Sequence, residues 1–259
     1  MLPHTIKVLQ SISTTLAEGG KGVMGTPFVK QPEKALQLYD LEGSPFCRRV
    51  REVLTLLNLD VEIYPCPKGG QKYRNVVQQK GGKQLFPFFI DHNTNVQLYE
   101  SQDIINYLFK QYGKTGKVPK KYQHLSKLPL MGFAGTILSG IRGVKVNKHI
   151  INRPAPEKLL ERWSFEASPF SRLVREELTE LELPYILHNV AKERWQDMGM
   201  AKLRLKPGKY EPLAQGKREK QLEIMQGKMQ VPYLYDPNTD TRLFESSQII
   251  KYLRKFYAK

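Results

Sequence analysis

Hydrophobic and polar residues in the first half of the chain follow two different periods. Apolar residues recur at helical spacing over residues 46–57, which predicts an amphipathic helix. The apolar face of this helix consists of Val50, Val53, Leu54 and Leu57. Short stretches at 35–41 and 60–64 lie on either side of it and are predicted strands. The pattern therefore predicts a β-α-β unit.

A hairpin and a closing helix follow this unit. Residues 86–90 and 95–99 flank the polar turn 91–94 and are predicted to form a β-hairpin. Residues 101–111 are the last predicted helix. Its apolar face consists of Ile104, Ile105 and Leu108. The order β-α-β and then β-β-α indicates an α/β fold in which one mixed sheet has helices packed against it.

The second half of the chain repeats the first. The segment SPFCRRVRE at residues 44–52 returns 124 residues later as SPFSRLVRE at residues 168–176. A short strand is predicted directly before the second segment, at 160–165, as one is before the first. An internal repeat of this length indicates two copies of one small domain.

Two later landmarks repeat at a larger offset of 145 residues. The Phe-Pro pair at 86–87 is matched by Val-Pro at 231–232, and LYES at 98–101 is matched by LFES at 243–246. The second copy therefore contains an insertion of 21 residues, which falls between about residues 190 and 226. This insertion is rich in Lys, Arg, Gly and Pro, and it is predicted to be a mobile excursion on the surface.

These landmarks divide the chain into four parts. We expect an N-terminal helical extension at 1–34, a first domain at 35–113, a basic linker with a helix at 114–158, and a second domain at 159–259. The helices of the extension and the linker are predicted from apolar residues at helical spacing. In the extension these residues are Ile6, Leu9, Ile12 and Leu16, and in the linker they are Met131, Ala134, Ile137, Leu138 and Ile141. We expect both helices to pack against the neighbouring domain, with contact to a membrane surface as the alternative.

The chain is strongly basic, with a formal net charge of +16. Lysines are concentrated at 114–127 and 202–220, which favours anionic partners such as a small anionic thiol, nucleic acid or a lipid surface. The other interpretation is a solvated basic surface. The basic segments lack the interleaved aromatic residues that stack on bases, and no nucleic-acid-binding module is recognisable.

The remaining composition excludes several classes of protein. Only two cysteines, Cys47 and Cys66, are present, so disulfides are not expected to hold the fold together and a reducing cytoplasm is expected. The five histidines are isolated from one another and from the cysteines, and metal-ligand spacing is absent. We expect no transmembrane span, because no apolar run reaches 18 residues, and no signal peptide.

The repeated turn, X-Pro pair and Glu-Ser pair resemble sequence motifs of a known family. The turn at 44–47 is similar to the Cys-Pro-Phe/Tyr-Cys active-site turn of glutaredoxins and of the thioredoxin-fold domain of omega-like glutathione transferases. The pairs at 86–87 and 231–232 resemble the cis-proline step of that fold. The pairs at 100–101 and 245–246 resemble the acidic residue and serine that bind the γ-glutamyl end of glutathione. The resemblance implies two tandem thioredoxin-fold domains of the type found at the N-terminus of glutathione transferases.

The resemblance also implies a role for each landmark, with glutathione as ligand or cosubstrate and no metal. The serine before the helix would stabilise the thiolate, and the residues at the cis-proline would pair with the cysteinyl backbone. The Glu-Ser pair would bind the γ-glutamyl ammonium and carboxylate groups. In the first copy the candidate residues are Ser44, Phe86, Pro87, Glu100 and Ser101. In the second copy they are Ser168, Val231, Pro232, Glu245 and Ser246.

The serine in the turn is the main departure from the glutaredoxin pattern. Ser44 and Ser168 stand where a glutaredoxin has its nucleophilic cysteine, and a hydroxyl cannot form a mixed disulfide. An iron–sulfur cluster held at that position is disfavoured for the same reason. Serine resembles instead the residue that hydrogen-bonds the glutathione thiolate in other transferase classes. The alternative is that each serine is an N-cap followed by proline at the first helical position.

The two cysteines allow a second hypothesis for the first copy. Cys47 is expected in the first turn of the helix, where the dipole lowers the pKa of an exposed thiol, although a buried and inert thiol is the other interpretation. Cys66 follows the second strand and is expected at the same edge of the sheet. A Cys47–Cys66 redox pair is therefore a possible site, and the second copy has no cysteine.

The chain is expected to lack the all-helical domain that supplies the electrophile site of transferases. The lead hypothesis is a glutathione-binding protein that acts as a glutathione-dependent transferase or thiol oxidoreductase, with Ser44 and Cys47 as catalytic candidates. The first copy is favoured as the competent one, because the second replaces the last turn residue with Ser171. The alternative is a non-catalytic thioredoxin-fold scaffold or protein-interaction module. The oligomeric state is not predicted.

Overall fold

The structure is a computed structural model in which residues 3–28, 30–123, 140–147, 150, 154–200, 203–204 and 208–258 are described. The predicted helix of the N-terminal extension is present as α1 (His4–Ala17). The predicted helix of the linker lies outside the described residues except for its last two, 140 and 141.

The first copy has the predicted order of elements. They are β1 (Leu36–Asp40), α2 (Pro45–Leu56), β2 (Val61–Pro65), α3 (Lys72–Gly81), β3 (Phe88–Asp91), β4 (Val96–Leu98) and α4 (Ser101–Tyr112). Helix α2 begins where the sequence indicates, because Ser44 is the N-cap and Pro45 the first helical residue. Helix α3 was not predicted; Val77 is its one buried residue.

The second copy repeats this order around its insertion. Its elements are β5 (Leu160–Ser164), α5 (Pro169–Glu180), β6 (Tyr185–Asn189), β7 (Gly199–Met200), β8 (Leu203–Arg204), α6 (Lys217–Leu222), β9 (Tyr233–Asp236), β10 (Thr241–Phe244) and α7 (Ser246–Tyr257). The described residues contain no all-helical domain. None of the described helices is long and apolar enough to cross a membrane.

The sheets of the two copies join into one sheet of eight strands, in the order β10-β9-β5-β6-β2-β1-β3-β4. Within each copy the first two strands are parallel and the hairpin is antiparallel to them. The copies meet through β2 and β6, which pair antiparallel with Val61 opposite Leu187 and Ile63 opposite Tyr185. Each copy thus covers the free edge of the other, which removes two unpaired sheet edges.

A buried network of ion pairs lies beside this junction, and equivalent residues of the two copies make equivalent contacts in it. Arg51 of α2 contacts Glu42 of its own copy at 3.2 Å and Glu166 of the other copy at 3.0 Å. Arg175, the residue equivalent to Arg51, contacts Glu166 at 3.3 Å and Glu42 at 2.9 Å. Burial alone would raise the pKa of Glu166, but Arg175, Arg51 and Arg48 lower it to about 2. The Glu166 carboxylate is therefore an ionised partner that ties one copy to the other.

Part of the insertion is buried against the first copy, whereas the sequence predicts a mobile segment on the surface. Lys217 of α6 is buried, and its ammonium group donates to Asp60 and to the carbonyl of Asn58 in the first copy. The backbone N–H of Lys217 donates to the carbonyl of Pro27 at 3.0 Å. The prediction of a surface segment is wrong for this residue, because Asp60 compensates the charge that would otherwise hold a lysine in water.

Candidate functional site

The strand register brings the predicted landmarks of the first copy to one end of the sheet. β1 ends at Asp40, four residues before Ser44, and Tyr39 lies opposite Phe88 at the start of β3. Leu98, at the end of β4, lies opposite Phe89. The Ser-Pro-Phe turn, the Phe-Pro pair and the Glu-Ser pair therefore share one edge. The same register holds in the second copy, where Trp163 and Phe244 both pair with Tyr233.

Both serines of the turn are N-caps. The hydroxyl of Ser44 accepts from the backbone N–H of Cys47 at 3.4 Å, and that of Ser168 accepts from Ser171 at 3.3 Å. Capping does not use the hydroxyl hydrogen, so the same oxygen can still donate to a thiolate. The cap interpretation is thus correct for both serines and is compatible with a role in binding.

The other two landmarks also have matching geometry in the two copies. The Phe86-Pro87 and Val231-Pro232 bonds are both cis. Glu100 has φ 51° and Glu245 has φ 63°, a left-handed conformation that is uncommon for glutamate. Non-glycine residues in this region cost of order 1–3 kcal/mol and cluster at functional sites.

The helix that follows Glu100 presents free donors. Asp103 and Ile104 both donate their backbone N–H to the carbonyl of Glu100, which leaves the N–H groups of Ser101 and Gln102 without an intrahelical acceptor. Free N–H groups and the positive end of the helix dipole favour an anion at this point, such as a carboxylate.

Helix α1 covers the corresponding site of the second copy. The imidazole Nε2 of His4 lies 3.1 Å from the hydroxyl of Ser246. Ser11 donates to the carbonyl of Pro169 at 2.7 Å, and Thr15 donates to the carbonyl of Ala167 at 3.3 Å. Ser168 lies between the two residues whose carbonyls α1 contacts, and it is only 2% exposed. Helix α1 packs against a domain, but the prediction that this is the neighbouring domain is wrong, because the partners of these three hydrogen bonds lie in the second copy and not in the first, which it precedes.

The face of α1 that makes this contact is not the predicted one. Ser11 and Thr14 are fully buried, whereas Leu9 is 64% and Leu16 is 73% exposed. The prediction that the apolar residues of α1 face a domain is wrong for both leucines and for Ile6, which is 41% exposed, because the partner surface offers backbone carbonyls that hydroxyl groups satisfy.

The acidic residues of the two Glu-Ser pairs, Glu100 and Glu245, differ in their side-chain hydrogen bonds. Both residues are exposed, but the Glu245 carboxylate accepts a hydrogen bond from Gln230 Nε2 at 2.6 Å, whereas the Glu100 carboxylate makes no hydrogen bond within the described residues. Leu85 takes the place of Gln230 in the first copy. Ser44 is partly exposed, unlike Ser168. The first copy therefore retains an uncommitted carboxylate and an accessible turn.

Both cysteines are free and buried. Burial and the nearby Asp40 carboxylate raise the pKa of the Cys47 thiol, and the same two causes raise the pKa of Cys66. Cys66 lies at the predicted edge of the sheet, where its N–H donates to the carbonyl of Asp40 at 2.6 Å. The arrangement disfavours a thiolate on either residue. In the described part of the chain no group of three or more His, Cys, Asp or Glu residues could hold a metal ion.

Sequence reasoning missed the residues that close the second site. His4, Ser11 and Thr15 lie about 150 to 240 residues before the groups that they contact. The one available signal was that a helical segment precedes each copy of the repeat. That signal indicates docking but does not identify the copy on which a segment docks.

The fold and the site define a class of protein built from the thioredoxin-fold domain of glutathione transferases. The family model for the glutathione S-transferase N-terminal domain matches residues 38–116 and 163–259, and the chain belongs to this family with two copies of the domain. Neither the curated proteins nor the solved structures compared with the chain include a match.

Proposed function

We propose that the chain is a glutathione-binding protein whose working site is in the first copy. The observation that carries this proposal is that Ser44, Pro87 and Glu100 share one end of the sheet while Ser44 stays partly exposed and Glu100 uncommitted. Glu100 would accept from the γ-glutamyl ammonium group. The free N–H groups at Ser101 would bind the γ-glutamyl carboxylate.

The chemistry that this site supports best is thiolate transfer rather than disulfide exchange. Ser44 would donate its hydroxyl hydrogen to the sulfur of glutathione and lower the pKa of the thiol. The thiolate sulfur would then form a bond to an electrophilic carbon as the leaving group departs with its electron pair. Cys47, the other catalytic candidate, is buried with a raised pKa, so oxidoreductase chemistry through it or through a Cys47–Cys66 pair is the weaker proposal.

A non-catalytic role is the second candidate, and the covered site of the second copy favours it for that domain. The turn serine of the second copy, Ser168, is buried, whereas Ser44 is partly exposed, and His4 contacts Ser246. We propose that the second copy acts mainly as a scaffold for the first. Because both cysteines are free thiols, we propose a reducing compartment such as the cytoplasm for the protein.

Calorimetric titration with reduced glutathione tests the proposal. We expect binding by the unaltered chain, loss of binding with Glu100→Ala, and unchanged binding with Glu245→Ala, which is the matched substitution at the equivalent position of the second copy. Absence of heat and of thermal stabilisation at about millimolar glutathione would leave the scaffold role as the better account.

A further inference from the structure

Helix α1 contacts Ser246, one of the residues of the second site that glutathione would use, and the backbone carbonyls on either side of Ser168. Its first residue, His4, contacts the hydroxyl of Ser246 at the start of α7, where the γ-glutamyl group is expected. Two turns further on, Ser11 contacts Pro169, the residue after the turn serine. The helix thus spans the site from the glutamyl end to the turn.

The body of α1 makes few apolar contacts, and the ion pairs of Glu18 at its C-terminal end are the strongest part of the contact. Its buried side chains are polar, and its large apolar residues Leu9 and Leu16 face outward, so little hydrophobic burial holds it in place. Hydrogen bonds contribute little net stability because solvent replaces them when the contact opens.

Two glycines and a residue with buried ion pairs lie at the C-terminal end of α1. Gly19 and Gly20 follow the helix with φ of 70° and 60°, and a side chain on either would meet no atom within 4 Å. Just before them, Glu18 pairs with Arg172 of α5 at 2.6 Å and with Arg48 of α2. The two glycines permit a swing of the helix, and the buried ion pairs of Glu18 hold the closed position.

We infer that α1 is a hinged lid that competes with glutathione for the second site, so that this site binds only when α1 has moved away. The inference rests on the proposed function for the chemistry of the ligand. Closure by α1 can be tested without any glutathione.

Two serines of α1 provide a matched pair of variants. Ser11 is fully buried against α5, and Ser13 is exposed on the same helix. Ser11→Arg places a long charged side chain in the contact and should displace α1. Ser13→Arg adds the same charge on the outer face and should leave α1 docked.

The first experiment measures accessibility of the turn. In a chain carrying Ser168→Cys, alkylation of the new thiol by iodoacetamide should be slow, and it should become at least tenfold faster with Ser11→Arg but not with Ser13→Arg. The unaltered chain, whose two cysteines are buried, gives the background. Equal alkylation rates in the Ser168→Cys chain and in its Ser11→Arg and Ser13→Arg derivatives would show that α1 is not a lid. If Ser11→Arg does not fold, His4→Ala with Ser11→Ala removes two contacts without added bulk and should accelerate alkylation in the same way.

The second experiment counts glutathione sites by calorimetry. The Ser11→Arg chain should gain a second site that Glu245→Ala removes, in addition to the site that Glu100→Ala removes. Binding at the first site without a gained second site would contradict competition by α1. Faster alkylation of Ser168→Cys without any glutathione binding would instead contradict the proposed function and leave α1 as a lid over a site for another ligand.

Discussion

At the scale of single residues, each turn serine caps its helix, and we propose a chemical task in addition for Ser44. The capping bonds of Ser44 and Ser168 are nearly equal, at 3.4 and 3.3 Å, while only Ser44 is partly exposed. The sequence predicted both the cap and the site. It could not show which serine is accessible, because the covering helix lies far away in the chain.

Substitution of each serine separates the two tasks. Ser44→Ala and Ser168→Ala should each lower the free energy of unfolding by about 1 kcal/mol through loss of the cap. Only Ser44→Ala should reduce the ultraviolet absorbance of bound glutathione thiolate, because only Ser44 reaches the ligand. The same loss of thiolate with Ser168→Ala would contradict the assignment of the site to the first copy.

His188 gives the junction a dependence on pH. Its Nδ1 lies 3.1 Å from Asp60 and its Nε2 lies 2.9 Å from Glu161. Burial lowers the pKa of His188, but the two carboxylates more than compensate, and the pKa is raised above 6.5. A raised pKa in the folded state means that the charged form stabilises the fold at low pH and that this stabilisation is lost as the pH rises through the raised pKa.

We therefore expect the melting temperature to fall as the pH rises above 6.5 and through the raised pKa of His188. His188→Gln should flatten this part of the profile. His92→Gln, on the exposed turn before β4, is the matched control and should not. A profile that keeps its slope in the His188→Gln chain would exclude His188 as the group responsible.

At the scale of elements, the six elements predicted in the first copy and the first strand of the second begin and end within two residues of their predicted bounds. Their periodicity was strong because each packs an apolar face on the sheet. Helix α3 carries one buried residue, Val77, and therefore had no pattern to detect. The ion network between α2 and α5 was also undetected, since charged residues on a helix are ordinarily expected in water.

The ion network should be sensitive to the loss of one partner. Glu166→Ala removes the carboxylate shared by Arg51 and Arg175 and leaves buried positive charge uncompensated. We expect a loss of about 3–5 kcal/mol in the free energy of unfolding, measured by denaturant titration. Asp240→Ala, which breaks the exposed pair with Arg242, is the control and should change little. A small effect of Glu166→Ala would show that the network does not tie the copies together.

At the scale of the whole molecule, the two copies form one structure. The main hydrophobic core contains buried residues of both copies, among them Leu36 and Val61 of the first and Leu160 and Leu187 of the second. The sequence predicted two domains. It did not predict that β2 and β6 would pair, because the alternation of a strand shows which face is buried but not which edge is covered.

The shared core and sheet should make unfolding cooperative. We expect one transition in differential scanning calorimetry, with equal calorimetric and van't Hoff enthalpies. Two resolved transitions would show that the copies unfold independently and that the β2–β6 pairing contributes little.

The most direct test of the whole account is a crystal structure of the chain grown with S-methylglutathione. We expect ligand density in the first copy, with the γ-glutamyl group at Glu100 and Ser101 and the sulfur near Ser44, while α1 still covers Ser168 and Ser246. Ligand density in the second copy with the first copy empty, or no ligand in either copy at saturating concentration, would contradict the account.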